Sequence, residues 1–269
     1  MNRIDKAFAD NRRAGRKGLI PYFTAGFPTL DDSAELVLAA DRAGATVVEL
    51  GVPFSDPIAD GPVIQHSSQI ALERGVTLGR ILETVAGLRQ NCDCPLVLMG
   101  YANSFMRYGF ERLVLDAKDA GADGLIIPDL PPEEASEVLE AARKAELSIV
   151  FLVAQTSSAK RAEMICKAAS GFVYYVARLG VTGVSTGVSP LLANNIDALR
   201  QYTDLPIAAG FGISTPEQAA QVVQHADAAI IGSALIRLAT DHHGPGSMVA
   251  AIEQFIAQCV GACSEAASG

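Results

Sequence analysis

The 269-residue sequence predicts an α/β fold, a closed (β/α)8 TIM barrel built as a single domain over residues 1–269. Three observations carry that prediction. Eight short apolar, β-branched runs recur along the chain, each followed by a Gly- or Pro-marked loop and then a longer stretch rich in Ala, Glu and Leu. The runs lack polar alternation, as parallel strands covered on both faces require. No Ser/Gly-rich linker or shift in composition divides the chain, and a barrel of this type takes about 250 residues.

Taken in order, the runs are LIPYFT (19–24), TVVEL (46–50), PLVLMG (95–100), DGLIIP (123–128), SIVFLV (148–153), FVYYVA (172–177), PIAAG (206–210) and DAAIIG (227–232). Helix starts separate them. Thr29 to Ser33 opens one, Pro131-Pro132 with Glu133 and Glu134 opens another, and Thr215-Pro216-Glu217 supplies a cap, a first-turn proline and an acid. An open doubly wound sheet is the competing architecture. It calls for a dinucleotide fingerprint after the first strand, and TAGFPT lacks that spacing. The low-complexity end GACSEAASG predicts a frayed tail over residues 257–269.

Composition excludes several partners. With 49% hydrophobic residues and a net charge of -9, the chain buries a large core and repels phosphate backbones, so neither nucleic acid nor an anionic membrane is expected. The basic group Arg12, Arg13, Arg16 and Lys17 reads as the solvated end of a first helix. The five cysteines, at 92, 94, 166, 259 and 263, form no disulfide framework or tetrahedral metal set, which points to a reducing, cytoplasmic setting without a metal. No signal peptide is read at the N-terminus, and no stretch of about 18 consecutive apolar residues follows.

In a barrel of this kind, polar residues at strand ends and in the loops after them carry the chemistry. Glu49 ends the second run. A buried carboxylate is costly unless paired or used, so it reads either as half of a structural ion pair or as a catalytic group. The loop VPFSDPIADGP then supplies Asp60, which reads locally as a helix cap before Gly61-Pro62 and, beside Glu49, as the second carboxylate of an acid/base pair. LGVTGVSTG, GFGIST and IGSALI follow runs six, seven and eight, and their glycines let backbone N–H groups approach an anion. None of the eight runs contains lysine, and the histidines do not line strand ends, which disfavours Schiff-base and metal-assisted chemistry. Tyr22, Met99, Ile126, Leu152 and Tyr174 read singly as barrel core and jointly as walls for a flat aromatic ligand.

The segments ELGVPFSDPIADGPVIQ, GLIIPDLPPEE, YYVARLGVTG, GFGIS and IGSAL, with RIDKAF and YFTAGFPT, resemble the tryptophan synthase alpha subunit family, in register from about Arg3 to Ile256. The resemblance implies retro-aldol cleavage of indole-3-glycerol phosphate to indole and glyceraldehyde 3-phosphate. It also implies an alpha2beta2 complex in which indole passes to a beta subunit; this chain carries no cofactor, and pyridoxal phosphate is expected on the beta subunit. Carried over by motif, Glu49 is the acid/base group and Asp60 binds the indole N–H. Thr182 engages Asp60 on closure, and Gly183, Gly212, Gly232 and Ser233 hold phosphate through main-chain N–H groups. Tyr22, Ile64, Met99, Ile126, Leu152, Tyr174 and Phe211 complete the substrate site, with Tyr174 selected over Tyr175 by its spacing from GVTG. The beta-subunit contact is expected at Pro53, Asp56, Asn103, Asp129 and Pro131. Tyr22, Ser104 and Gln155 depart from the family's commonest residues. A free-standing lyase and a non-catalytic phosphate-binding regulatory subunit remain the alternatives.

Overall fold

A computed structural model describes residues 2–176, 190–210, 212–242 and 244–267, apart from the side chains of Pro190 and Pro245. Eight parallel strands close in sequence order: β1 (Gly18–Thr24), β2 (Val48–Gly51), β3 (Leu96–Met99), β4 (Gly124–Ile126), β5 (Ser148–Ala154), β6 (Val173–Val176), β7 (Ile207–Gly210) and β8 (Ala228–Ile231), with β8 pairing back onto β1. Each lies within one of the apolar runs or overlaps it by all but a residue. Around them run α1 (Arg3–Arg13), α2 (Leu30–Arg42), α3 (Pro62–Glu73), α4 (Leu78–Leu88), α5 (Ala102–Tyr108), α6 (Phe110–Ala120), α7 (Ser136–Ala145), α8 (Ala159–Ala168), α9 (Pro190–Leu199), α10 (Pro216–Val223), α11 (Ser233–Asp241) and α12 (Pro245–Ala266).

Local chemistry sets the helix starts. The Thr29 hydroxyl accepts from the Asp32 N–H at 3.1 Å and opens α2, and Thr215 accepts from the Gln218 N–H at 3.3 Å ahead of Pro216 in α10. Pro131-Pro132 opens a 3-10 turn over Pro132–Glu134 instead of a helix, and α7 begins two residues later. Asp60 does not cap α3: Gly61 holds that position and contributes no side-chain bond.

Two apolar layers result. Side chains on the outer face of the strands pack against the helices, while Ile20, Val47, Val97, Ile126, Val150 and Phe172 fill the barrel interior. The helix α1 closes the N-terminal end, inserting Ile4 and Phe8 into that interior, with the Phe8 and Phe172 rings tilted at a centroid distance of 5.9 Å. Asp123 locks the same end. Its Oδ1 accepts from Arg3 Nη1 at 3.1 Å, and its Oδ2 accepts from Arg89 Nη2 at 2.6 Å and from the Leu96 N–H at 2.9 Å. Arg89 in turn donates to the carbonyls of Gly121, Cys92 and Cys94.

The expectation of a frayed tail over 257–269 is corrected as far as Ala266. An apolar stripe of Met248, Ile252, Ile256, Cys259 and Cys263 continues at helical spacing through the small-residue segment and is buried against α2 and α10. By length and composition α12 could cross a bilayer, but its stripe faces the core, and Arg42 of α2 clasps Glu253 through its Nε and Nη2. The basic group at the end of α1 is exposed or half-exposed as expected, with Arg13 meeting Asp10 and Lys17 lying 3.6 Å from Asp227.

Candidate active site

The strand alternation that fills the barrel interior also builds a cavity of about 530 Å³ at its C-terminal mouth. Inward residues two positions beyond the interior layer reach it: Tyr22 after Ile20, Glu49 after Val47, Met99 after Val97, Leu152 after Val150, Tyr174 after Phe172 and Ile230 after Ala228. Asp60, Ile64, Gly212, Gly232 and Ser233 line it from the loops and helix starts. Most of the expected set is therefore brought together. Ile126 is the exception: it lies one level down in the packed interior with no exposed surface, and Pro128, two residues on, lines the cavity in its place. Thr182, Gly183 and Phe211 lie outside the described residues.

Glu49 pairs in register with Tyr22 on one side and Val97 on the other. It is 1% exposed, makes no ion pair with a described residue, and its Oε1 has no hydrogen-bond partner. The structural ion-pair reading of Glu49 is thus replaced by a bare carboxyl group facing a cavity. Burial alone pushes it up to about 8, which keeps it protonated at neutral pH.

Asp60 is held differently. Burial pushes its carboxyl up to about 6, against an opposing hydrogen bond from the Tyr101 hydroxyl, so it is mostly ionised at neutral pH. Tyr101, two residues beyond Met99, anchors the whole acidic loop. Its hydroxyl oxygen accepts from the Ala59 N–H at 3.0 Å, and its ring stacks on Phe54 at 5.2 Å. Gln65 adds a second tie, donating to the Asp60 carbonyl at 2.9 Å. Tyr101 was not among the residues selected from sequence; continuing the inward alternation past Met99 would have found it.

The tyrosines sort by alternation. Tyr174 lines the cavity, whereas the Tyr175 hydroxyl points away and accepts from Asn195 Nδ2 at 2.8 Å. Tyr22 finds a partner for its extra hydroxyl: it lies 3.5 Å from Thr24 Oγ1, which is 2.7 Å from Ser67 Oγ, which donates to the Ile64 carbonyl at 2.8 Å. Burial first, and then the nearby Asp60 and Glu49 carboxyl groups, hold the Tyr22 and Tyr174 hydroxyls well above the usual phenol range. Neither is a proton donor of neutral-pH strength.

Beside Tyr22, Gly232 stands before α11 with no side-chain cap, and both the Leu235 and Ile236 N–H groups turn back to the Gly232 carbonyl. The N–H groups of the first turn ahead of them are directed outward by helix geometry. The cavity thus joins an apolar slot, two carboxyl groups with separated proton affinities and an anion-favouring helix start. Arg161 and Arg237, neither selected from sequence, complete its rim.

Comparison with known proteins gives the family. The sequence profile of the family described as tryptophan synthase alpha chain matches residues 8–264. The tryptophan synthase alpha chain of Geobacter sp. (strain M21) is 46% identical over 94% of this chain and 97% of its own, and that of Chloroflexus aggregans 47% identical over 97% and 98%. Among solved structures, tryptophan synthase subunit alpha of Legionella pneumophila str. Paris superposes with a TM-score of 0.89 at 37% identity, covering 98% of each chain. A chain of M. tuberculosis tryptophan synthase in its aminoacrylate-bound form gives 0.88 at 30% identity, covering 98% of this chain and all of that one. The chain belongs to the tryptophan synthase alpha chain family.

Proposed function

We propose that this alpha chain cleaves indole-3-glycerol phosphate to indole and glyceraldehyde 3-phosphate, a lyase reaction run by Glu49 and Asp60. The observation that carries the reading is the buried Glu49 carboxyl, whose Oε1 has no hydrogen-bond partner among the described residues, facing the same cavity as an ionised Asp60. Glu49, protonated at neutral pH, donates its proton to the indole carbon that bears the glycerol chain. Positive charge then grows on the ring nitrogen, where the Asp60 carboxylate stabilises it and accepts the N–H. The Glu49 carboxylate so formed takes the proton of the neighbouring hydroxyl. That carbon becomes the aldehyde, and the electron pair of the breaking carbon–carbon bond returns to the ring. One proton is given and one recovered, so the carboxyl group ends as it began.

Tyr22, Met99, Leu152 and Tyr174 supply apolar walls for the indole, and the Gly212 and Gly232-Ser233 turns line the same cavity and supply N–H groups for the phosphate. Around the mouth, Asp56, Asn103, Asp129, Ile58 at 83% exposure and Met106 at 62% form an uncovered rim, with Pro131 half-buried beside them. This rim suits a beta subunit that carries pyridoxal phosphate and receives indole. Pro53 is buried beneath the loop and would act there by shaping it. The five cysteines are free and buried, which fits a reducing cytoplasm.

The test is indole release from indole-3-glycerol phosphate by the purified chain, alone and with a tryptophan synthase beta subunit. Release that the beta subunit accelerates supports the proposal. Full activity without acceleration would favour a free-standing lyase, and no turnover in either case would favour a phosphate-binding subunit.

A further inference from the structure

The reading above leaves the phosphate to backbone N–H groups, and the charge balance of the cavity argues for more. A phosphate monoester brings a charge of about -1.5 to -2 at neutral pH. It enters a cavity that already holds ionised Asp60, on a chain of net charge -9. A helix N-terminus offers only about half a positive charge against that. Among the described residues, two arginines line the cavity. Arg161 is committed to the Glu133 carboxylate. Arg237 has no hydrogen-bond or ion-pair partner among the described residues.

Arg237 stands four residues after Ser233 on α11, so the two share a helix face, while Leu235, Ile236 and Ala239 occupy the buried face. A long side chain on a helix leans toward the N-terminus and covers the turn before its own Cα. From position 237 that turn is the one that starts at Gly232-Ser233. The unpartnered, almost fully buried Glu49 in the same cavity independently marks it as built for a ligand.

From this placement we infer that Arg237 is a phosphate-binding side chain, a cation that reaches the phosphate held at the start of α11. The inference rests on the proposed function for the identity of the substrate, and on the cavity geometry for the site. A guanidinium there adds charge-assisted hydrogen bonds to those of the backbone.

Calorimetric titration of the parent chain, Arg237→Met and Arg237→Lys with glycerol 3-phosphate and, separately, with indole tests it. The expected result is glycerol 3-phosphate binding weakened about tenfold in Arg237→Met, largely restored in Arg237→Lys, with indole binding unchanged. Constants for glycerol 3-phosphate that agree within about twofold across the three proteins would overturn it, as would equal weakening of indole, which carries no phosphate. The KM for indole-3-glycerol phosphate should rise in step with little change in kcat. Weaker glycerol 3-phosphate binding in chains that never release indole would sink the proposed reaction while leaving the phosphate role of Arg237 supported.

Discussion

At the N-terminal end of the barrel Asp123 is 5% exposed, with two arginines and a backbone N–H on its two oxygens; toward the mouth Glu49 is 1% exposed and its Oε1 meets nothing. Both are carboxylates set into strand segments by the same kind of apolar run. Burial is the same, so burial cannot be what distinguishes structure from chemistry. The partners do. Asp123 gathers α1, the loop after α4 and the start of β3 into one network, with Arg89 only 11% exposed. Glu49 retains the full cost of desolvation, and that cost is what keeps it protonated at neutral pH and therefore able to give up a proton.

The contrast is broken most severely at the closed end. Asp123→Ala strands the Arg89 guanidinium among carbonyls and removes the anchor of Arg3. It should cost about 3–5 kcal/mol by denaturant unfolding, with kcat near the parent value at temperatures where the variant stays folded. Lost turnover in a fully folded Asp123→Ala chain would mean that the two ends are not separable.

Glu49→Gln should invert that pattern. Indole release should fall at least about a hundredfold, with binding of phosphate ligands kept. Stability should change the other way, because the folded pKa of about 8 lies above the ordinary value of 4.5. Below pH 4.5 folded and unfolded forms both hold the proton and Glu49 costs nothing. Between 4.5 and about 8 the unfolded chain releases it while the folded chain keeps it, so the parent loses stability as pH rises, and the full cost is present above about 8. The melting temperature of Glu49→Gln should therefore exceed the parent's at pH 8 by roughly 2–8 °C and match it at pH 4.

Asp60→Asn sharpens the division of labour within the mouth. An amide keeps the shape but not the charge that steadies the ring cation, so turnover should fall about 10- to 100-fold in a folded protein. The pH dependence of kcat/KM is a gentler probe. It should fall below about 6 as Asp60 takes up a proton and above about 8 as Glu49 loses its own. A profile flat across both limbs would remove the two carboxyl groups from the mechanism.

The strands were the more legible part of the sequence, since continuous apolar runs leave a parallel strand little alternative. The misreadings share a cause. Ile126 reads as core or as wall because the run DGLIIP does not say at which level it leaves the barrel; it lies in the core, and strand stagger brings Pro128 to the cavity. Asp60 looked like a cap because only three-dimensional packing brings Tyr101 to it. The stretch after residue 256 looked loose because small residues hide an apolar stripe read only at helical spacing. Tyr101 and Arg237 were both recoverable by extending a strand or helix period two or four residues past a selected position. Glu49 is legible in sequence as a strand-end carboxylate, and its two readings separate only in three dimensions, where its Oε1 has no partner among the described residues.

The most direct test of that distinction is an infrared titration of the Glu49 carboxyl, taken as the difference between the ligand-free parent chain and Glu49→Gln. The protonated-carboxyl band should persist through neutral pH and disappear around pH 8. A band lost near pH 4.5, the ordinary value, would show Glu49 to be a charged group with an unseen partner, and the account of it as the proton donor would fail.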